Sequence, residues 1–418
     1  MIDTAMKQWM ICLLVLLLSN GAQAQKIKIK TGIEVLKEQH FDCLKGKRVG
    51  LITNPTGVDN TMRSTIDILY NAPEVNLVAL YGPEHGVRGD VHAGDHVSDL
   101  KDATTGLPVY SLYGKTRKAT PDMLKDIDVL VYDIQDIGCR SFTYISTMGL
   151  AMEAAAENDK EFVVLDRPNP LGGLKIEGNL TEADCTSFVS QFRIPYLYGL
   201  TCGELALLLN GERMLQGGIT CKLQVVKMKG WKRKMDYTQT GLQWVPSSPH
   251  IPHAHSAFFY PVSGILGELG GYVSIGVGYT IPFQMFAASW MDAHALAEHL
   301  NALKLPGVEF RPIYLKPFYG PGKGEQLQGV QVHLTDVQAA PLAEIQFRVM
   351  EVIAELWPNR AVFDRADSGR FNMFDKVCGS KQIRIRFSQH NQWADISDYW
   401  NKDVDAFRQK AKKYYLYK

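Results

Sequence analysis

The stretch Asp128-Val129-Leu130-Val131-Tyr132-Asp133-Ile134-Gln135-Asp136-Ile137-Gly138-Cys139-Arg140 decides the fold class. A short continuous apolar run that ends on carboxylates and a guanidinium reads as a strand buried on both faces, delivering polar side chains at its carboxyl end. Working outward, Ser141–Glu157 has the alanine content and apolar spacing of a helix, and Glu161–Leu165 is the next strand. It runs into Asp166-Arg167-Pro168-Asn169-Pro170. On the other side, Arg48–Thr53 predicts a strand, Thr61–Asn71 a helix, and Asn76–Tyr81 a strand that delivers Glu84-His85-Gly86-Val87-Arg88. Thr201–Leu215 predicts a further helix, stopped by Gly217-Gly218. Strands alternating with helices give an α/β fold, a Rossmann-like parallel sheet covered on both faces.

The second half does not alternate. Gly264–Tyr279 is glycine-rich, Met291–Leu303 predicts a helix, and Val308–Leu315 and Gly329–Leu334 predict strands. In Pro341–Trp357, Leu342, Ile345, Val349, Val352, Ile353 and Leu356 share one helical face. This pattern predicts a smaller α+β domain. Prolines cluster over Pro246–Pro261, so the chain divides into 25–260 and 261–418.

Residues 1–24 form a leader. Lys7 precedes the apolar stretch Trp9–Leu18, and Ala22-Gln23-Ala24 supplies a small-residue cleavage site, the order of a secretory signal peptide. A transmembrane anchor needs about 20 apolar residues, more than this run contains. The expected location is periplasmic or secreted, without stable membrane insertion. A net charge of +1 gives no electrostatic reason to bind nucleic acid. Beyond the leader, Cys43, Cys139, Cys185, Cys202, Cys221 and Cys378 are an even set at wide, irregular spacings. Export permits disulfides between them, and a core this size does not require them.

Four segments carry candidate chemistry, three of them at strand ends, where open α/β sheets bind ligands. Glu84 is the first candidate, a general acid if partial burial raises its pKa, or otherwise a helix cap or a partner of Arg88. Asp133, Asp136 and Arg140 suit sugar hydroxyls or a substrate carboxylate, or else a structural ion pair. Asp166, Arg167 and Asn169 repeat that choice within a proline-stiffened turn. Glu177 is the natural second carboxylate, or an ordinary loop glutamate. His85, His92 and His96 raise the question of a metal, but glycine-rich spacings without helical periodicity argue against one. No phosphate-binding glycine motif follows the first strand, and no Gly-x-Ser-x-Gly elbow occurs. No cofactor is expected. Trp244, Tyr260, Tyr272 and Tyr279 are either core or a wall on which a sugar ring stacks. Trp244-Val245-Pro246-Ser247-Ser248-Pro249 reads as a rigid loop at the edge of the cleft.

These segments, in this order, resemble the exo-β-N-acetylmuramidase family, glycoside hydrolase family 171. The resemblance rests on Gly82–Gly89, Pro108–Lys118, Asp128–Gly138, Tyr144–Gly149, Leu165–Gly173, Glu177-Gly178, Gly199–Ala206 and Trp244–Pro249. It implies a Rossmann-like domain without a nucleotide, a smaller C-terminal domain with the active cleft between the two, and exo-release of N-acetylmuramic acid or a related amino sugar from the non-reducing ends of peptidoglycan fragments. On the family's motifs Glu84 falls as the acid and Glu177 as the second carboxylate, with Arg140 or Arg88 for the lactyl carboxylate. His85, Arg88, Asp133, Asp136, Arg140, Asp166, Arg167, Asn169, Glu268 and Tyr279 are the expected substrate contacts. One departure stands out. Many relatives carry Phe-Glu-Gly-Thr-Asn and then Gly-Arg-Gly-Thr, whereas this chain has Gly267-Glu268-Leu269-Gly270 and Gly276-Val277-Gly278-Tyr279. A non-catalytic muropeptide-binding protein is the alternative from another class, and a peptidoglycan esterase or amidase lacks its nucleophile elbow.

Overall fold

The structure is a computed structural model that describes residues 29–89 and 100–418. The leader, His92 and His96 lie outside the described residues. Strands β1 (Arg48–Thr53), β2 (Asn76–Gly82), β3 (Leu100–Lys101), β4 (Pro108–Ser111), β5 (Val129–Asp133) and β6 (Glu161–Leu165) are followed by a two-stranded ribbon, β7 (Ile176–Glu177) with β8 (Leu197–Tyr198), and then by β9 (Lys222–Val226). The main sheet has the order β3-β4-β2-β1-β5-β6-β9. Every neighbouring pair is parallel except β3 with β4. The apolar runs at 48–53, 129–133 and 161–165 are continuous because both faces are covered. Val129 and Val131 join one core with Leu36, Leu51 and Leu69, while Leu130 and Tyr132 join another with Met148, Met152 and Leu205 from helices Tyr144–Glu157 and Cys202–Gly211.

Helix starts follow local chemistry. Ser64 accepts the Asp67 N–H, so the helix begins at Thr65 rather than Thr61. Thr201 and Glu204 form a reciprocal capping box, each accepting the other's backbone N–H at 3.2 Å.

The second part holds an antiparallel sheet in the order β10-β12-β11, from β10 (Met285–Ala288), β11 (Val308–Leu315) and β12 (Leu327–Leu334). Helices Ala254–Gly267, Ala293–Ala302, Glu344–Leu356, Phe371–Cys378 and Lys381–His390 pack with it around one core that includes Phe286, Phe347 and Trp400. The division expected at 260/261 runs through helix Ala254–Gly267. Pro261 lacks an N–H to donate within this helix, and the buried Gln346 braces the turn that follows it. It donates to the Pro261 carbonyl at 2.9 Å and accepts the Leu266 N–H at 2.9 Å.

The chain end also crosses that division. Phe407 and Ala411 sit in the core of the large sheet, and the Tyr417 hydroxyl donates to Asp166 at 2.6 Å. Leu416 N–H reaches Glu204, which pairs with the buried Arg233 at 2.6 Å. All six described cysteines are free thiols, five of them buried. Among the described residues no helix is long and apolar enough to cross a membrane.

At the carboxyl ends of β5 and β6, Asp133 and Arg167 form a buried pair with two parallel contacts, and Thr65 donates its hydroxyl to the same carboxylate. Removing one partner leaves a buried charge unpaired, so Asp133→Asn is expected to cost about 3–5 kcal/mol of folding free energy. Chemical denaturation checks this as a lower midpoint with an unchanged slope.

Candidate functional site

A cleft of about 620 Å³ opens beside the carboxyl ends of β2, β4 and β5. Glu84 and His85 enter it from the loop after β2, Tyr113 and Arg117 from the segment after β4, and Ser141 to Tyr144 from the segment after β5. Ser187 to Val189 and the proline-rich loop at Ser248, His250 and Ile251 extend the wall. The opposite side comes from the second part, with Tyr260, Glu268, Phe283, Met373 and Lys376.

Backbone conformation sets Glu84. β2 ends at Gly82, Pro83 fixes the exit, and the Gly86 N–H closes a turn onto the Pro83 carbonyl at 3.0 Å. His85 and Gly86 both sit in the left-handed region, at φ 73° and 74°. A histidine held there costs about 1–2 kcal/mol, so the surrounding structure over-determines a conformation that serves the site. Thr143 donates its hydroxyl to Glu84 at 3.3 Å. The Tyr113 phenol lies near Glu84 in the cleft, and burial together with that carboxylate pushes the phenol up to about 12.

Glu268 follows the last turn of helix Ala254–Gly267. Burial pushes its carboxyl above the ordinary glutamate range, opposed by the Arg370 guanidinium at 3.3 Å. Tyr260 lines the same cleft as the two glutamates. Its phenol is held well above its ordinary value, chiefly by burial and in smaller part by the charges of Glu268 and Glu84, and it lies 3.2 Å from the Ser141 hydroxyl. Two carboxylates in unlike surroundings, flanked by hydroxyls and aromatic rings, can deliver a proton and stabilise positive charge on a sugar.

Of the expected site residues, Glu84, His85 and Glu268 line this cleft. The others lie elsewhere. Glu177 is not the second carboxylate of the cleft: it accepts the N–H groups of Leu342 and Ala343 at 3.2 and 2.8 Å and lies 3.4 Å from the Lys175 ammonium. It ties β7 to the start of helix Glu344–Leu356. Arg140 is 1% exposed and donates to the carbonyls of Asn179, Ile194 and Val377 and to the Ser190 hydroxyl, so its guanidinium is spent on structure. Arg88 is held bidentately by Asp102 at 2.9 and 3.1 Å.

Asp133 and Arg167 satisfy each other beneath the sheet ends. Asp136 accepts the Gly138 N–H and the Tyr198 hydroxyl, and burial pushes its carboxyl up to about 6. Asp166 accepts from Thr201, Gly203 and Tyr417, with burial pushing it up to about 7. Asn169 closes its own turn by accepting the Leu171 N–H. Tyr279 stacks on Phe318, away from the cleft. Of the four aromatics singled out in sequence only Tyr260 reaches the cleft, while Trp244 packs on Tyr237 and Tyr272 on Trp290.

Sequence reasoning missed Tyr113, Thr143, Arg117, His250 and Lys376 as cleft residues. The first three follow strand ends, a signal available in principle. His250 and Lys376 come from distant segments and carry no local signature. No cluster of histidine, cysteine or acidic side chains suited to a metal occurs among the described residues.

Two family models cover the chain. The exo-β-N-acetylmuramidase NamZ N-terminal model matches residues 49–255, and the corresponding C-terminal model matches residues 258–417. The peptidoglycan β-N-acetylmuramidase NamZ of Bacillus subtilis (strain 168) is 44% identical over 399 residues, covering 96% of this chain and 94% of that protein. Two solved structures from Bacteroides fragilis NCTC 9343, both described as DUF1343 family proteins, share the fold. One is 75% identical with a TM-score of 0.91, covering 94% of this chain and 100% of that one. The other is 28% identical with a TM-score of 0.73, covering 94% and 99%.

The placements predict a division among variants. Arg140→Met strips partners from several buried acceptors, and Glu177→Gln weakens a charge-assisted contact, so each is expected to lower stability, at about 1–3 kcal/mol per buried group left unpaired. Glu84→Gln and Glu268→Gln keep shape and lie in an open cleft, so their melting temperatures should stay near that of the parent protein. Thermal melts of the four variants test the division.

Proposed function

The chain belongs to the NamZ family of exo-β-N-acetylmuramidases, and we propose that Glu84 and Glu268 are the pair with which its cleft performs that reaction. The protein is an exo-acting glycosidase that releases N-acetylmuramic acid from the non-reducing ends of peptidoglycan fragments. One observation carries the assignment of the pair: two glutamates from the two parts of the chain share one cleft, while Glu177 is committed to backbone N–H groups elsewhere.

Glycosidic cleavage needs a proton for the departing oxygen and a group that supports the oxocarbenium-like anomeric carbon. Glu268 supplies the proton, because burial favours its protonated form. Glu84, steadied by Thr143 and Tyr113, faces the developing positive charge and positions the attacking oxygen. Tyr260 and Phe283 provide apolar surface for the ring, and hydroxyls of Ser141 and Ser248 line the same space. The leader at residues 1–24 supports export to the compartment where peptidoglycan fragments occur.

Both Glu84→Gln and Glu268→Gln are expected to lower release of muramic acid from a muramyl disaccharide by at least about 100-fold, in the range of a lost acid or base. For Glu268→Gln the loss should shrink when the leaving group is p-nitrophenolate, which needs no proton. An unchanged loss would reassign the acid to Glu84. The pH profile gives an independent check. Glu268 must be protonated, so kcat/KM falls as pH rises through its elevated pKa. Arg370 opposes that elevation, so Arg370→Gln should move the alkaline limb to higher pH.

A further inference from the structure

We infer that Arg117 selects muramic acid by binding the lactyl carboxylate, an assignment that rests on the glycosidase reading above. Muramic acid differs from glucosamine by a 3-O-lactyl ether whose carboxyl is ionised at neutral pH, so a site specific for it needs a fixed cation. The arginines that sequence offered for this are occupied, Arg88 by Asp102 and Arg140 by carbonyls. Arg167 is paired with Asp133, and Arg370 with Glu268. Two cations line the cleft without a carboxylate partner among the described residues, Arg117 and Lys376.

Arg117 is the better match. Its guanidinium lies over the Phe188 ring, 4.5 Å from the centroid, and Phe188 is only 9% exposed. Phe188 packs against Tyr113 at 6.2 Å between ring centroids, and Tyr113 lines the cleft with Glu84, whose charge raises its phenol. Aromatic packing thus places the cation on the wall that also carries the reacting carboxylate. Stacking on an aromatic face leaves the guanidinium edge open, and that edge meets a carboxylate with two parallel hydrogen bonds. Lys376 is a flexible point charge without this geometry.

The test compares a p-nitrophenyl N-acetylmuramide with the same compound carrying a neutral lactyl amide. Wild-type protein is expected to prefer the charged compound by about 10- to 100-fold in kcat/KM, the scale of a charge-assisted hydrogen bond. In Arg117→Met that ratio should collapse towards one, and in Arg117→Lys part of it should return. The ratio is taken within each variant, so a change in the folded fraction cancels. A wild-type ratio near one, or an Arg117→Met ratio equal to wild type, overturns the assignment. So does loss of the preference in Lys376→Met but not in Arg117→Met. Failure of the wild type to hydrolyse either compound overturns the glycosidase reading and this inference with it.

Discussion

The Asp133–Arg167 pair at the carboxyl ends of β5 and β6 is the constraint on which the rest of the structure depends. Two opposite charges out of water are tolerated only when each is fully partnered. Here Asp133 takes both contacts from Arg167 and a hydroxyl from Thr65, and Arg167 also donates to the Val58 carbonyl. Those partners come from the loop after β1, the first turn of helix Thr65–Tyr70, β5 and the Asp-Arg-Pro-Asn-Pro turn. Asp166, next along the chain, gathers Thr201, Gly203 and Tyr417 in the same way. A row of buried carboxylates thus pulls together the segments beneath the sheet ends, including the last residues of the chain.

That floor accounts for the position of the cleft. The strand order reverses between β1 and β5, where an open sheet ordinarily offers its ligand site, and there Arg167 lines only a small hollow of about 20 Å³. The working space is displaced towards β2 and β4, and the second part of the chain forms its other side. Glu84 is raised by a strained turn on one part, and Glu268 follows a helix braced by Gln346 at Pro261 and Leu266 on the other. Neither part alone supplies two carboxylates to the space. The C-terminal segment returning to Asp166 and Glu204 fastens the parts together, which keeps the glutamates in a fixed relation.

The two glutamates differ by environment rather than by chemistry. Glu268 is half-buried at a helix end with an exposed arginine near it, and burial outweighs that charge. Glu84 faces a hydroxyl and a phenol. Unlike surroundings are how one residue type serves two roles in a single reaction. Aromatic packing continues outward from Tyr113 through Phe188 to Arg117, so recognition and chemistry share one wall.

The amino-acid pattern by itself determined the parallel sheet, because strands buried on both faces must be apolar throughout, and β1 and β6 begin and end where that pattern does. It also determined that Glu84 stands at a strand end, because Gly-Pro-Glu-His-Gly leaves the backbone few other courses. The family motifs were legible for the same reason, being long and ordered. What only the tertiary structure decided is which charges are spent and which remain. Arg140, Arg88 and Glu177 look as available in sequence as Arg117 and Glu268 do. Their partners are carbonyls, amides and an aspartate brought from elsewhere in the fold, up to 237 positions away for Arg140 and Val377. Packing decides which charges face an open space and which are enclosed by backbone and counter-charges, and that is a property of the assembled fold rather than of any local stretch of chain.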